Sequence, residues 1–166
     1  DKYFECDVSK SDSEFNSIEN MFEKISKVWN EIDFIVHALA YSDKEELKGK
    51  YVNCSRENFL NSLDISAFSF TRIAKSSFPL MSLKGGSLLT LSYLGAERTT
   101  PNYNVMGVAK SALEASIKYL AMDLGKNNIR VNALSAGPVK TLAGAAISGA
   151  RHVFRLSLIH ISEPTR

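Results

Sequence analysis

The sequence predicts an α/β fold built on a parallel sheet. Four short runs, 3–8, 33–40, 86–91 and 129–135, read as strands, 33–40 and 86–91 being the apolar ones, and amphipathic stretches of helical period separate them. Strands that alternate with helices pair in parallel through right-handed crossovers. With 166 residues, 45% of them hydrophobic, the chain can bury a sizeable core.

Tyr3-Phe4-Glu5-Cys6-Asp7-Val8 reads as a first strand already in progress. Ser11-Asp12-Ser13-Glu14 fits a capping box, in which a Ser hydroxyl and a Glu carboxylate three residues on satisfy each other's backbone donors. Phe15, Ile18, Met21, Phe22, Ile25, Val28 and Trp29 then follow at helical spacing, so this helix lays one apolar face on the sheet. In the run 33–40 the residues after Asp33 are apolar apart from His37, as in a strand covered on both faces. A lone His on such a strand serves structure more often than catalysis.

A polar connection, 42–53, leads to Ser55, which caps a long helix through Phe59, Leu63, Ile65, Phe68, Phe70, Ile73 and Ala74. Pro79 ends or kinks that helix, because it lacks the backbone donor and its ring clashes with the preceding turn. Gly85-Gly86 opens the strand at 86–91. Val105, Val108, Ala112, Leu113, Ala115, Ile117, Leu120 and Ala121 recur at steps of three and four along a helix at 104–124, and 129–135 is the last strand.

Charge and composition narrow the function. Lys and Arg total 20 against 18 acidic residues, a net +2 with neither sign gathered into a block, which gives no support to nucleic-acid or membrane-surface binding. No run of about 18 apolar residues and no signal peptide occurs. Cys6 and Cys54 read as free thiols in a reducing cytoplasm, and His37, His152 and His160 are too scattered for a zinc site.

Ligands of an open parallel sheet bind beyond the carboxyl ends of its strands. Asp7-Val8, the segment 38–42, Ser92-Tyr93 and the segment 136–141 all fall there. Tyr93 is followed ten residues on by Tyr103 and, after six intervening residues, by Lys110. Two helical turns separate Tyr103 from Lys110, about 10 Å along the axis. A Lys one turn from a phenol favours phenolate, whereas one two turns away is better placed for groups beyond it, such as ribose hydroxyls. Tyr103 then stays a neutral donor, since an ordinary Tyr titrates at about 10.

The spacing of Tyr93, Tyr103 and Lys110, within the phrase Leu91-Ser92-Tyr93-Leu94-Gly95-Ala96-Glu97-Arg98, resembles the short-chain dehydrogenase/reductase superfamily and, within it, the bacterial enoyl-acyl-carrier-protein reductases that use NADH. The resemblance spans about 3–155 and implies a doubly wound, Rossmann-like parallel sheet. It implies that Tyr103 donates to the thioester oxygen during conjugate reduction, that Lys110 anchors the nicotinamide ribose, and that Tyr93 lines the acyl pocket and shares in catalysis. By the same resemblance Asp7 accepts from the adenine amino group, Val8 packs on the ring, Leu39 contacts NADH through its backbone, and Ser42 borders the substrate. Val139 and Thr141 hold the nicotinamide carboxamide, with Lys140, Leu142 and Ala143 in the same cofactor segment, and no metal is implied. The implied partners are an acyl-carrier-protein-bound enoyl substrate and further copies of the chain in a cytoplasmic homotetramer.

Two departures qualify that expectation. The nine glycines include no G-x-G-x-x-G turn to receive a pyrophosphate, so residues 1–155 read as a partial dinucleotide-binding domain, truncated at both ends, with weak or absent NADH binding on its own. The small-residue stretch 141–155 resembles a mobile lid over the acyl pocket, and 156–166 reads as a non-native tail. Alternative readings are a 3-ketoacyl or other carbonyl reductase of the same superfamily, against which the six-residue gap argues, and a non-catalytic interaction module.

Overall fold

A computed structural model of the chain describes residues 2–137. Val139, Lys140, Thr141, Leu142 and Ala143, the small-residue stretch and the tail at 156–166 lie outside the described residues. Within them α1 (Ile18–Ser26), β1 (Phe34–His37), α2 (Arg56–Leu63), α3 (Ser69–Met81), β2 (Gly86–Ser92), α4 (Asn104–Leu124) and β3 (Ile129–Ser135) follow in order. The three strands form one parallel sheet in the order β1-β2-β3, with Val36 opposite Leu89 and Leu88 opposite Val131. The α/β reading with a parallel sheet therefore stands.

The core sits on one face of that sheet. Leu88, Ile129 and Val131 are buried with Phe70, Ala74 and Met81 of α3 and Leu113 of α4. A second cluster joins Ile18, Phe22 and Ile25 of α1 to Ile73 of α3. The apolar stripes at helical spacing are what these helices bury, as the periodicity requires.

β2, α4 and β3 lie where the sequence places them, with β2 running one residue further to Ser92. The N-terminal elements differ. Residues 3–8 form no strand among the described residues, although Phe4, Cys6 and Val8 alternate inward against the α1 cluster as strand residues do. Alternation chooses faces, but a strand also needs a ladder, and the Asp7 N–H instead donates to Asn16 O at 2.7 Å. The Ser11 N–H donates to the Glu14 carboxylate at 2.6 Å, so half of the capping box forms, yet it closes a turn. Asn16 takes a left-handed φ of 60°, and Ser17 is the true cap, accepting from the Asn20 N–H at 3.2 Å. Phe15 is left exposed with the Lys24 ammonium 4.5 Å above its ring.

β1 is shorter than the apolar run and is not covered on both faces: Phe34 is 70% and Val36 51% exposed. Helices α3 and α4 pack on the opposite face, where His37, Leu88 and Thr90 are buried. The long helix after Ser55 is interrupted by a π-helical turn at Asp64–Phe68, and its final part ends at Met81, two residues beyond Pro79.

Candidate active site

The chain leaves β2 at Ser92, and Tyr93 continues extended with φ −152° into a single 3-10 turn, Leu94–Ala96. Tyr103 is the residue before α4, and its ring is buried beside Leu47, Val105 and Met106. The Tyr93 and Tyr103 rings meet edge-on, with centroids 5.0 Å apart and planes at 63°. Such closeness depends on Gly95. A Cβ there would lie 2.5 Å from Cδ1 and 2.7 Å from Cε1 of Tyr103. Gly107, one turn into α4, lets that helix pass against the Gly95 carbonyl, which would stand 2.9 Å from an added Cβ.

Burial pushes the Tyr103 phenol above its ordinary range, and the neighbouring Tyr93 adds to the shift. Both influences keep the proton on, so the group is a hydrogen-bond donor across the neutral range. Lys110 lies along the same helix, 6% exposed, and its Nζ donates to Leu91 O at 2.7 Å. Burial lowers its pKa to about 8 against the opposing influence of Glu114. The Glu114 carboxylate in turn accepts from the Ser92 hydroxyl at the end of β2. Two charged side chains and the strand end are thereby fixed to one another.

The loop after β1 borders this group. Leu39 is half-buried two residues past the strand, and the Ser42 hydroxyl donates to Asn58 Oδ1 at 3.2 Å. Asn58 also accepts from the Asp43 N–H at 2.8 Å, and Ser66 in the π turn takes the Tyr41 N–H at 2.9 Å while donating to Tyr41 O at 3.1 Å. The Asn104 amide donates to Glu46 O at 3.2 Å, tying the start of α4 to the same loop. Asn58 and Ser66 are absent from the sequence-derived site. A signal for them exists: Asn58, Ser62, Ser66 and Ser69 recur at steps of four, four and three along an otherwise apolar pattern, and all four are buried.

His37 is buried and fully engaged, with Nδ1 2.8 Å from Thr90 Oγ1 and Nε2 2.9 Å from Ser69 Oγ. Burial, together with the Lys110 charge, lowers its pKa to about 4, so it is a neutral structural residue that joins β1, β2 and α3. Val8 packs on a different cluster from the tyrosines, against α1, with Asp7 beside it in the chain. The Asp7 carboxylate is exposed and anionic, held below the usual carboxylate range by the Ser9 hydroxyl and N–H, which donate to Oδ1 at 2.7 and 3.0 Å.

The donor set suits the nicotinamide riboside half of a dinucleotide. A buried ammonium has three N–H donors, and Leu91 O takes one, which suits a neighbouring pair of ribose hydroxyls. No group of three or more His, Cys, Asp or Glu side chains among the described residues could hold a metal ion.

The parallel sheet, with a tyrosine pair after β2 and a lysine on α4, is of the short-chain dehydrogenase/reductase class, as the comparisons bear out. The chain belongs to the enoyl-(acyl carrier protein) reductase family, whose model matches residues 1–160. It is 60% identical over 132 residues to the NADH enoyl-[acyl-carrier-protein] reductase FabI of Rickettsia typhi, covering 80% of this chain and 50% of that protein. An NADH enoyl-[acyl-carrier-protein] reductase of Rhizobium meliloti is 51% identical over 150 residues, 90% of this chain and 53% of its own length. Among solved structures, the enoyl-acyl-carrier-protein reductase of Anaplasma phagocytophilum in complex with NAD aligns with a TM-score of 0.82 at 58% identity, covering 89% of this chain and 55% of that one. The Bacillus cereus enzyme, solved with NADP+ and an indole naphthyridinone, aligns at 0.85 and 44% identity, covering 91% and 57%. The chain spans about half the length of these relatives.

Proposed function

We propose that the protein carrying this chain reduces the 2,3 double bond of enoyl-acyl-carrier-protein thioesters in fatty-acid synthesis, with NADH as reductant. The observation that carries the reading is the buried, protonated Tyr103 phenol held edge-on by Tyr93, with the Lys110 ammonium fixed further along the same helix. NADH, when bound, supplies the hydride that adds to the β-carbon of the substrate. Negative charge then grows on the thioester oxygen, and the Tyr103 hydroxyl donates to it. A preorganised donor of this kind stabilises the transition state more than the ground state, by about 2.7–4 kcal/mol.

The remaining residues bind and orient. Lys110, held by Leu91 O, presents its other N–H donors to the ribose hydroxyls. Tyr93 walls the acyl pocket and Ser42 borders it from a loop braced by Asn58. Asp7 offers an anionic acceptor to the adenine amino group beside Val8, Leu39 meets the dinucleotide through its backbone, and Val139, Lys140, Thr141, Leu142 and Ala143 take the nicotinamide end. Residues 1–155 form the reductase portion and 156–166 a tail without a part in it. The protein is cytoplasmic and acts as a homotetramer. Leu60, Phe68, Tyr119 and Met122, exposed on α2, the π turn and α4, supply apolar surface for that assembly, and no helix among the described residues is long and apolar enough to cross a membrane.

The test follows NADH oxidation by the chain extended to the full length of its relatives, with crotonyl and acetoacetyl thioesters of acyl carrier protein as alternative substrates. Turnover of the crotonyl thioester alone is expected. Turnover of the acetoacetyl thioester alone would make the protein a carbonyl reductase.

A further inference from the structure

Arg72 is an isolated charge in the apolar stripe of α3, yet its side chain is only 9% exposed. It joins α3 to α1 and to the segments around Val8 and Asp12. Nε and Nη2 donate to the two carboxylate oxygens of Glu19 on α1 at 3.2 and 2.7 Å, the planar fork matched to the carboxylate. Nη2 also approaches Asp12 Oδ1 at 3.3 Å, and Nη1 donates to Val8 O at 3.0 Å. Burial alone would raise the Glu19 carboxyl, but the Arg72 donors bring it below its ordinary value, so the pair is ionised. The segment around Val8 has no strand ladder to fix it. Its backbone is held by the Asp7 N–H to Asn16 O, by the Lys10 N–H to Asp7 O and, at Val8 O, by this guanidinium.

We propose that Arg72 is a positioning residue for the adenine end of the cofactor: by fixing the Val8 carbonyl while anchored to Glu19, it sets where Asp7 and Val8 meet the adenine ring. The inference rests on the NADH reading above and adds to it a residue that acts through Val8 and Glu19. A guanidinium reaches Glu19 and Val8 O at once because its donors diverge in a rigid plane; a Lys ammonium in its place can serve the carboxylate but not both.

Arg72→Lys therefore separates charge from reach. In the full-length protein, the variant is expected to raise the KM for NADH and the inhibition constant of ADP-ribose together, each about tenfold, the order of one lost charge-assisted hydrogen bond. The kcat and the KM for the crotonyl thioester stay within twofold. Glu19→Gln, which retains the guanidinium but loosens its anchor, moves the same two constants in the same direction and supplies the reading if Arg72→Lys fails to fold. Unchanged NADH and ADP-ribose constants in a folded variant would overturn the proposal, as would a fall in kcat and a rise in thioester KM accompanying the change, which marks a merely structural residue. If the unsubstituted protein does not oxidise NADH with the crotonyl thioester, it is the proposed function that falls, whatever Arg72 does.

Discussion

Adding one methyl group at Gly95 displaces the donor without touching its chemistry. The Cβ of Gly95→Ala would stand 2.5 and 2.7 Å from two ring carbons of Tyr103 and 3.2 Å from Cδ1 of Tyr93, whereas carbon atoms in contact prefer about 3.5–4.0 Å. The Tyr103 ring must retreat by about 1 Å, into the packed side chains of Leu47, Val105 and Met106. Overpacking of this kind costs about 1–3 kcal/mol of stability. A misplacement of about 1 Å in a reacting group costs about a hundredfold in rate, equivalent to about 2.7 kcal/mol of barrier. Steady-state kcat with the crotonyl thioester, beside a thermal melt on the same preparation, separates the two effects. The expected result is a folded protein with kcat down about a hundredfold. A folded Gly95→Ala variant with kcat within twofold of the parent would refute the claim that this glycine positions the phenol.

Two further predictions concern pH. Lys110, with a pKa of about 8, binds ribose hydroxyls best as the ammonium, so the KM for NADH should be flat below pH 8 and rise above it. The rise should disappear in Lys110→Met, whose KM is high throughout; a flat profile in the unsubstituted protein to pH 9.5 would contradict the assignment. His37 is lowered from an ordinary 6.5 to about 4, so the unfolded chain binds its proton first as pH falls. Its contribution to stability is complete above pH 6.5 and is lost on going down through pH 4, a difference of about 3 kcal/mol. Urea midpoints measured between pH 7 and 4 should fall more steeply for the parent than for His37→Gln, and parallel curves would count against a buried neutral imidazole.

The parts most legible in the sequence are those whose signal is local. The run at 86–91, the stripe of α4 at steps of three and four and the strand at 129–135 carry their pattern within a few residues, and that pattern locates them. The tyrosine pair and Lys110 are likewise visible, because their spacing along the chain is a one-dimensional fact. What escaped depends on partners distant in sequence. Residues 3–8 carry a strand's alternation but no ladder, and Ser11 and Glu14 make a capping pair that closes a turn four residues before the helix starts. Both sides of the run at 33–40 look alike in composition, so nothing local tells which face the helices leave open. Gly95 shows its purpose only once a ring from eight residues on is seen lying where its side chain would be, and Asn58 reads as a routine polar residue of the first helical turn until three donors converge on it.

Tyr103→Phe is the most direct test, because it removes one oxygen and leaves the edge-on contact with Tyr93 in place. In the full-length protein, kcat for the crotonyl thioester should fall by about 10²–10³, the loss expected for one preorganised donor, with the KM for NADH unchanged within twofold and the melting temperature preserved. A Tyr103→Phe protein that reduces the crotonyl thioester at the parent's rate would contradict the account, because the phenol would then not be the group that stabilises the enolate.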